Sequence, residues 1–148
     1  MAKYERILLA TDFCSDNNRV IERAAETASS YGAELWVIHV IEPLPLAYGG
    51  DATGMWAEQF SNLQSDLNRG AGDMMTELEE RLSVPHERTL VTQGRAATEI
   101  RGFAEDNKID LIVMGTHGQH GLGLLLGSTA NSVLHGISCD SLIVKIGK

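Results

Sequence analysis

Along this chain the spacing of apolar positions changes repeatedly, from short apolar runs of strand length to longer stretches in which apolar residues step by three or four. The runs Arg6 to Thr11, Glu34 to Val40, Glu87 to Thr92, Asp110 to Met114 and Ser141 to Ile146 predict five β-strands, each short, rich in Val, Ile and Leu, and bounded by polar or glycine-bearing segments. Between them the period lengthens to that of a helix. Ile21, Ala24, Ala25 and Ala28 form one stripe, with Ser15 placed as an N-cap, Asp16 favourable at the positive end of the helix dipole, and Gly32 as the stop. Trp56, Phe60, Leu63, Leu67, Ala71, Met75, Leu78 and Leu82 form the longest stripe, and it predicts a core-facing helix. Gly70 and Gly72 interrupt it, each costing about 0.8–1 kcal/mol relative to Ala, so a kink or frayed turn is expected there. Ala97, Ile100 and Ala104 mark a third helix and Thr129 to His135 a fourth, while the prolines and glycines between Pro43 and Gly54 predict an irregular crossover. Strands alternating with helices in this way predict an α/β fold built on a mainly parallel sheet, expected as one domain over residues 1–148.

Composition narrows the partners. A chain of 148 residues, 43% of them hydrophobic, can bury a core of roughly 68–70% of its unfolded surface. Its formal net charge of −8 and the absence of any Lys/Arg stripe exclude a nucleic-acid backbone or an anionic membrane as the main partner, because both demand clustered cations. Cys14 and Cys139 make no disulfide framework, and the start MAKYERILLATDF has no charged segment followed by a long apolar one, so a cytoplasmic protein with reduced thiols is expected. No apolar run approaches the ~20 residues of a bilayer span.

The candidate chemistry gathers after the fourth strand. Gly115-Thr116-His117-Gly118 follows the apolar run directly, and Gly127-Ser128-Thr129 opens the next helical pattern. Glycines let main-chain N–H groups approach an anion closely, and a strand that feeds a helix through such a loop is a recurrent phosphate site. The simpler reading is a turn required by packing. Asp12, just past the first strand, has its own plain alternative as a turn residue that bonds nearby backbone, and Val40, on the second, as a core residue. His39 on its apolar strand reads as a hydrogen-bonded structural histidine. His117, His120 and His135 lack a Cys or carboxylate at ligand spacing, so no metal site is expected. Cys14, close to the first helix, carries only a minor suggestion of redox sensing.

Ile7-Leu-Leu-Ala-Thr-Asp-Phe13, Val37-Ile-His-Val-Ile41, Gly94, Asp110-Leu-Ile-Val-Met-Gly-Thr-His-Gly118 and Gly127-Ser128 occur in the order, and in the strand and loop contexts, of a universal stress protein, which the chain resembles over nearly its whole length. The resemblance implies an open, doubly wound five-stranded parallel sheet of order 3-2-1-4-5 with helices on both faces. It also implies ATP in the crevice between strands one and four, and a homodimer formed through the last strand. Carried over position by position, Asp12 and Val40 match residues at the adenosine end, while Gly115, Gly118, Gly127 and Ser128 match those that contact ribose and phosphates, with Thr129 alongside. The general rule that open parallel sheets bind ligands at the carboxyl ends of strands where their order reverses leads to the same crevice. The chain departs from the family in one place: Gln119 to Leu126, between Gly118 and Gly127, is one residue shorter than the family's pattern, with Gly121 and Gly123 inside it to lend freedom.

Neighbouring classes fail on particular residues. A P-loop NTPase needs a lysine after its second glycine, and none is present. A receiver domain needs an acceptor Asp after strand three, where this chain has Thr92-Gln93-Gly94, and an ATP-pyrophosphatase needs a Ser-Gly-Gly-x-Asp-Ser loop where this chain has Thr11-Asp-Phe-Cys-Ser15. No positioned base is identifiable, so no enzyme is expected, although Ser128, Thr129 and His117 are acceptors within reach of a slow phosphoryl transfer. Mg²⁺ is expected with ATP, since no lysine in the motif offsets the phosphate charge. The sequence therefore predicts a nucleotide-responsive dimeric regulator of the stress response, in which ATP orders the loop from Gly118 to Gly127. The alternative is a dimeric interaction or chaperone-like module of the same family that has abandoned nucleotide.

Overall fold

A computed structural model describes residues 3–13, 17–42, 55–116 and 128–146, with backbone alone for residues 55–57 and 128. Five strands, β1 (Arg6–Ala10), β2 (Glu34–Ile41), β3 (Thr89–Gln93), β4 (Leu111–Gly115) and β5 (Asp140–Val144), form one parallel sheet in the order β3-β2-β1-β4-β5. Four α-helices connect or flank them: α1 (Asn18–Tyr31), α2 (Met55–Leu82), α3 (Ala96–Asp106) and α4 (Ser128–Leu134). The predicted architecture and strand order are those observed.

Side chains alternate across the sheet and give it two cores. Ile7, Leu9, Leu35, Val37, Leu111 and Val113 face α1 and α2, meeting Val20, Ile21 and Ala24 from the one helix and Met75 and Leu78 from the other. Leu8, Ile38, Ile112 and Met114 face the opposite way, against Ile100 and Ala104 of α3 and Ala130 and Val133 of α4. Burial on both faces explains why these strands read as continuous apolar runs.

The ends of elements depart from expectation in instructive ways. Ser15 lies outside the described residues, and α1 instead has Asn17 in the cap position, without a side-chain cap bond. Gly32 does stop that helix, in the left-handed conformation at φ 62° that glycine tolerates, while the Ala33 N–H returns to the Ala28 carbonyl at 2.8 Å. The segment expected as strand from Glu87 begins as a 3₁₀ turn, His86–Arg88, after Pro85, so β3 starts two residues later. Asp110 sits just before β4, its carboxylate accepting the Glu5 and Arg6 N–H groups at 2.8 and 2.9 Å.

The helix α2 requires two corrections. It is continuous helix through Gly70 and Gly72, with no frayed turn there, because Ala71, Met75 and Leu78 are buried along that stretch and their packing outweighs the glycine penalty. Its stripe is also only partly core-facing: Leu63 is 52% exposed and Leu67 42%. No helix among the described residues is long and apolar enough to cross a membrane.

Candidate functional site

The sheet's order reverses between β1 and β4. β2 and β3 lie to one side of that pair and β5 to the other, and in open parallel sheets the carboxyl ends of strands at such a reversal are where ligands bind. The two strands pair Ile7 with Leu111, Leu8 with Ile112 and Leu9 with Val113. Asp12 follows the end of β1 and Gly115 is the last residue of β4, so these two predicted site residues stand at neighbouring strand ends. Val40, near the end of the adjacent β2, is half-buried and packs into the core on the α3 and α4 side, as its plain alternative requires. Ser128 is the first residue of α4, and Thr129 follows it, half-buried. Gly118 and Gly127 lie outside the described residues, as do Cys14, His117, His120 and the loop between the two glycines.

Gly115 owes its lack of a side chain to a neighbour. A Cβ there would lie 2.1 Å from Ile146 Cδ1, 2.9 Å from Ile146 Cγ1 and 3.3 Å from Val20 Cγ2. Ile146 is drawn over the strand end by its own N–H, which donates to Thr116 Oγ1 at 3.1 Å, while the Thr116 N–H donates to the Val144 carbonyl at 3.0 Å. The chain beyond β5 thus closes against the α1 side of β4's end. Sequence reasoning assigned Gly115 to ligand approach and missed Ile146, since nothing local to either residue shows that they meet.

On the β1 side the turn is built from polar groups. The Thr11 N–H donates to the Ile38 carbonyl at 3.0 Å and prolongs the β1–β2 ladder by one residue. The Thr11 hydroxyl oxygen accepts from the Phe13 N–H at 3.2 Å and from the Asn17 side-chain amide. Thr11 and Asn17 are the two buried polar residues among those described, and each satisfies the other, as burial demands. Asn17 is of a residue type that often caps helices, but its side chain turns to Thr11 instead of capping α1. His39, on β2, places Nδ1 2.7 Å from the Thr11 carbonyl oxygen, the hydrogen-bonded structural role predicted for it.

Among the described residues no three His, Cys, Asp or Glu side chains converge as a metal site. Cys139 is half-buried, and burial, then the nearby Asp140 and Asp110 carboxylates, push its thiol pKa up, away from a reactive thiolate. It lines a shallow hollow between the end of α3 and the turn before β5, with Arg101, Glu105 and Gly136. That hollow lies at the amino ends of the strands, across the sheet from Asp12. Arg101 donates to the Ser132 carbonyl at 2.8 Å there and ties α3 to the last turn of α4.

Known proteins fit this frame. The family model described as the universal stress protein family matches residues 3–145. Universal stress protein A homolog 1 of Coxiella burnetii is 44% identical over 146 residues, covering 95% of this chain and 96% of that protein. Among solved structures, the protein MJ0577, the subject of a structure-based assignment of biochemical function, superposes with a TM-score of 0.81 at 25% identity and 99% coverage of both chains. A universal stress protein in complex with cAMP superposes with a TM-score of 0.59 at 21% identity, covering 97% of this chain and 98% of its own, a likeness of fold. A matched sequence pattern across 143 residues, a relative of such identity over nearly equal lengths, and the sheet order observed here agree: this chain belongs to the universal stress protein family.

Proposed function

We propose that the chain binds an adenine nucleotide, ATP with Mg²⁺, in the crevice between the carboxyl ends of β1 and β4, and acts as a non-enzymatic, nucleotide-responsive dimer of the cytoplasm. The observation that supports this reading is the reversal of strand order at β1 and β4, whose neighbouring carboxyl ends lead to Asp12 and Gly115, because open parallel sheets bind ligands at such a reversal. Asp12 and Val40 take the adenosine end. Gly115, Gly118, Gly127, Ser128 and Thr129 take ribose and phosphates through main-chain N–H groups and hydroxyls. The net charge of −8 does not oppose a polyphosphate, because at a Debye length of about 8 Å distant carboxylates are screened while contacting amides are not. That a protein of this fold has been crystallised with cAMP agrees with an adenine ligand. β5 is an edge strand of the sheet, and pairing with its counterpart in a second copy would cover its open main-chain groups.

Titration calorimetry of the full chain with Mg-ATP tests the reading. Saturable binding is expected, and Gly127→Val should abolish it while the circular dichroism spectrum stays that of the wild type. Absence of binding, with no nucleotide released from the purified protein by acid, overturns it. One observation favours the second reading, an interaction or chaperone-like module without nucleotide. Ile146 accounts for Gly115 by packing alone, so the glycine does not by itself require a ligand.

A further inference from the structure

The turn that carries Asp12 is gripped from β2 by a residue that the nucleotide reading does not use. The His39 Nδ1 atom lies 2.7 Å from the Thr11 carbonyl oxygen. A carbonyl oxygen can only accept, so Nδ1 carries the proton. Burial pushes the imidazole pKa down, against the smaller opposing effects of the Thr11 carbonyl and the Asp12 charge, which favours the neutral ring with Nδ1–H. The ring also leans on Phe13, centroids 4.4 Å apart and planes at 43°. Phe13 needs that support: its φ of 60° lies in the left-handed region, a costly place for a bulky residue.

The consequence follows from the peptide bond. The Thr11 carbonyl and the Asp12 N–H belong to one planar unit, and in a trans peptide they point in opposite directions. Fixing the carbonyl on His39 therefore fixes the direction of the Asp12 N–H and the point from which the Asp12 side chain departs. The Thr11 N–H, bonded to the Ile38 carbonyl at 3.0 Å, holds the other side of the same residue. We infer that His39 is a positioning residue for the nucleotide site, its Nδ1–H bond to the Thr11 carbonyl orienting the Thr11–Asp12 peptide toward the adenosine end of the ligand. This inference rests on the nucleotide reading above.

Two full-length variants separate positioning from plain packing. His39→Leu removes the donor, whereas His39→Asn keeps an N–H donor, Nδ2, at the same branch of the side chain as Nδ1. Titration with Mg-ATP should show affinity weakened about five- to tenfold in His39→Leu, the size of one lost hydrogen bond, and held within about twofold of wild type in His39→Asn. Without nucleotide, hydrogen exchange at the Asp12 and Phe13 amides should quicken in His39→Leu and not in His39→Asn. Nitrogen-15 NMR of the wild type should show Nδ1 protonated, a measurement independent of how any variant folds. Nδ1 found unprotonated, both variants weakened alike, or His39→Leu binding as tightly as wild type overturns the inference. A wild type that takes up no nucleotide overturns the parent reading and the binding role with it. That result is distinct from failure of the clamp alone, in which the wild type binds and His39→Leu binds equally well.

Discussion

At Gly115 a missing side chain admits a neighbour. The Cβ that any other residue would add falls 2.1 Å from the end of the Ile146 side chain, and only the flexibility of that side chain could relieve the clash. Gly115→Ala is therefore expected to cost about 1–3 kcal/mol of stability in urea unfolding, the usual size of overpacking. Combined with Ile146→Ala, which clears the space, the cost should fall below the sum of the two single changes by about 1 kcal/mol or more. Strictly additive costs would show that the two side chains do not compete for the same volume. The outcome bears on function because a Gly115 required by Ile146 can serve packing and ligand at once. The Thr11–Asn17 pair makes a related point: an asparagine of the type that caps helices goes instead to a buried hydroxyl, because leaving either group unpaired in the core costs more than leaving the first turn of α1 without a side-chain cap.

Among the elements, α2 shows where periodicity informs and where it misleads. Its stripe correctly predicts a helix, and its second half is core, with Met75 3% and Leu78 5% exposed against β2 and β3. In the first half the same spacing continues while Leu63 and Leu67 remain largely in solvent. A helical stripe states which residues share a face and is silent on whether anything lies beneath it. Met75→Ala or Leu78→Ala should accordingly destabilise the fold by about 2–5 kcal/mol, whereas Leu63→Ser and Leu67→Ser should stay within about 0.5 kcal/mol of wild type. Chemical denaturation with a common m-value checks this. A large loss at Leu63 would mean that the first half of α2 is covered after all. Strand boundaries erred for a similar reason. Glu87 adjoins the apolar run that predicts a strand through Thr92, yet after Pro85 a 3₁₀ turn, His86–Arg88, precedes the ladder with β2.

For the whole molecule the decisive fact is the order of strands, since it makes neighbours of the carboxyl ends of β1 and β4, which lead to Asp12 and Gly115. If the crevice there holds Mg-ATP, ligand at a hundredfold its dissociation constant stabilises the native state by about 2.7 kcal/mol, which for a chain of this size raises the thermal midpoint by about 5–10 °C. Gly127→Val should show no such rise, and a wild-type midpoint indifferent to Mg-ATP would point to the interaction module instead. Much of the architecture was legible beforehand. The alternation of short apolar runs with stretches of helical period, the Val, Ile and Leu content of the strands and the stop at Gly32 are local properties, expressed within a few residues by backbone sterics and the need to bury apolar faces. The strand order itself rested on likeness to a family and not on periodicity. What tertiary structure alone decided depends on contacts between residues far apart in the chain: Ile146 over Gly115, the His39 donor on the Thr11 carbonyl, and the half of α2 that the sheet covers. No window of sequence contains both partners of such a contact, so the same residue types fit either outcome until the folded chain brings them together.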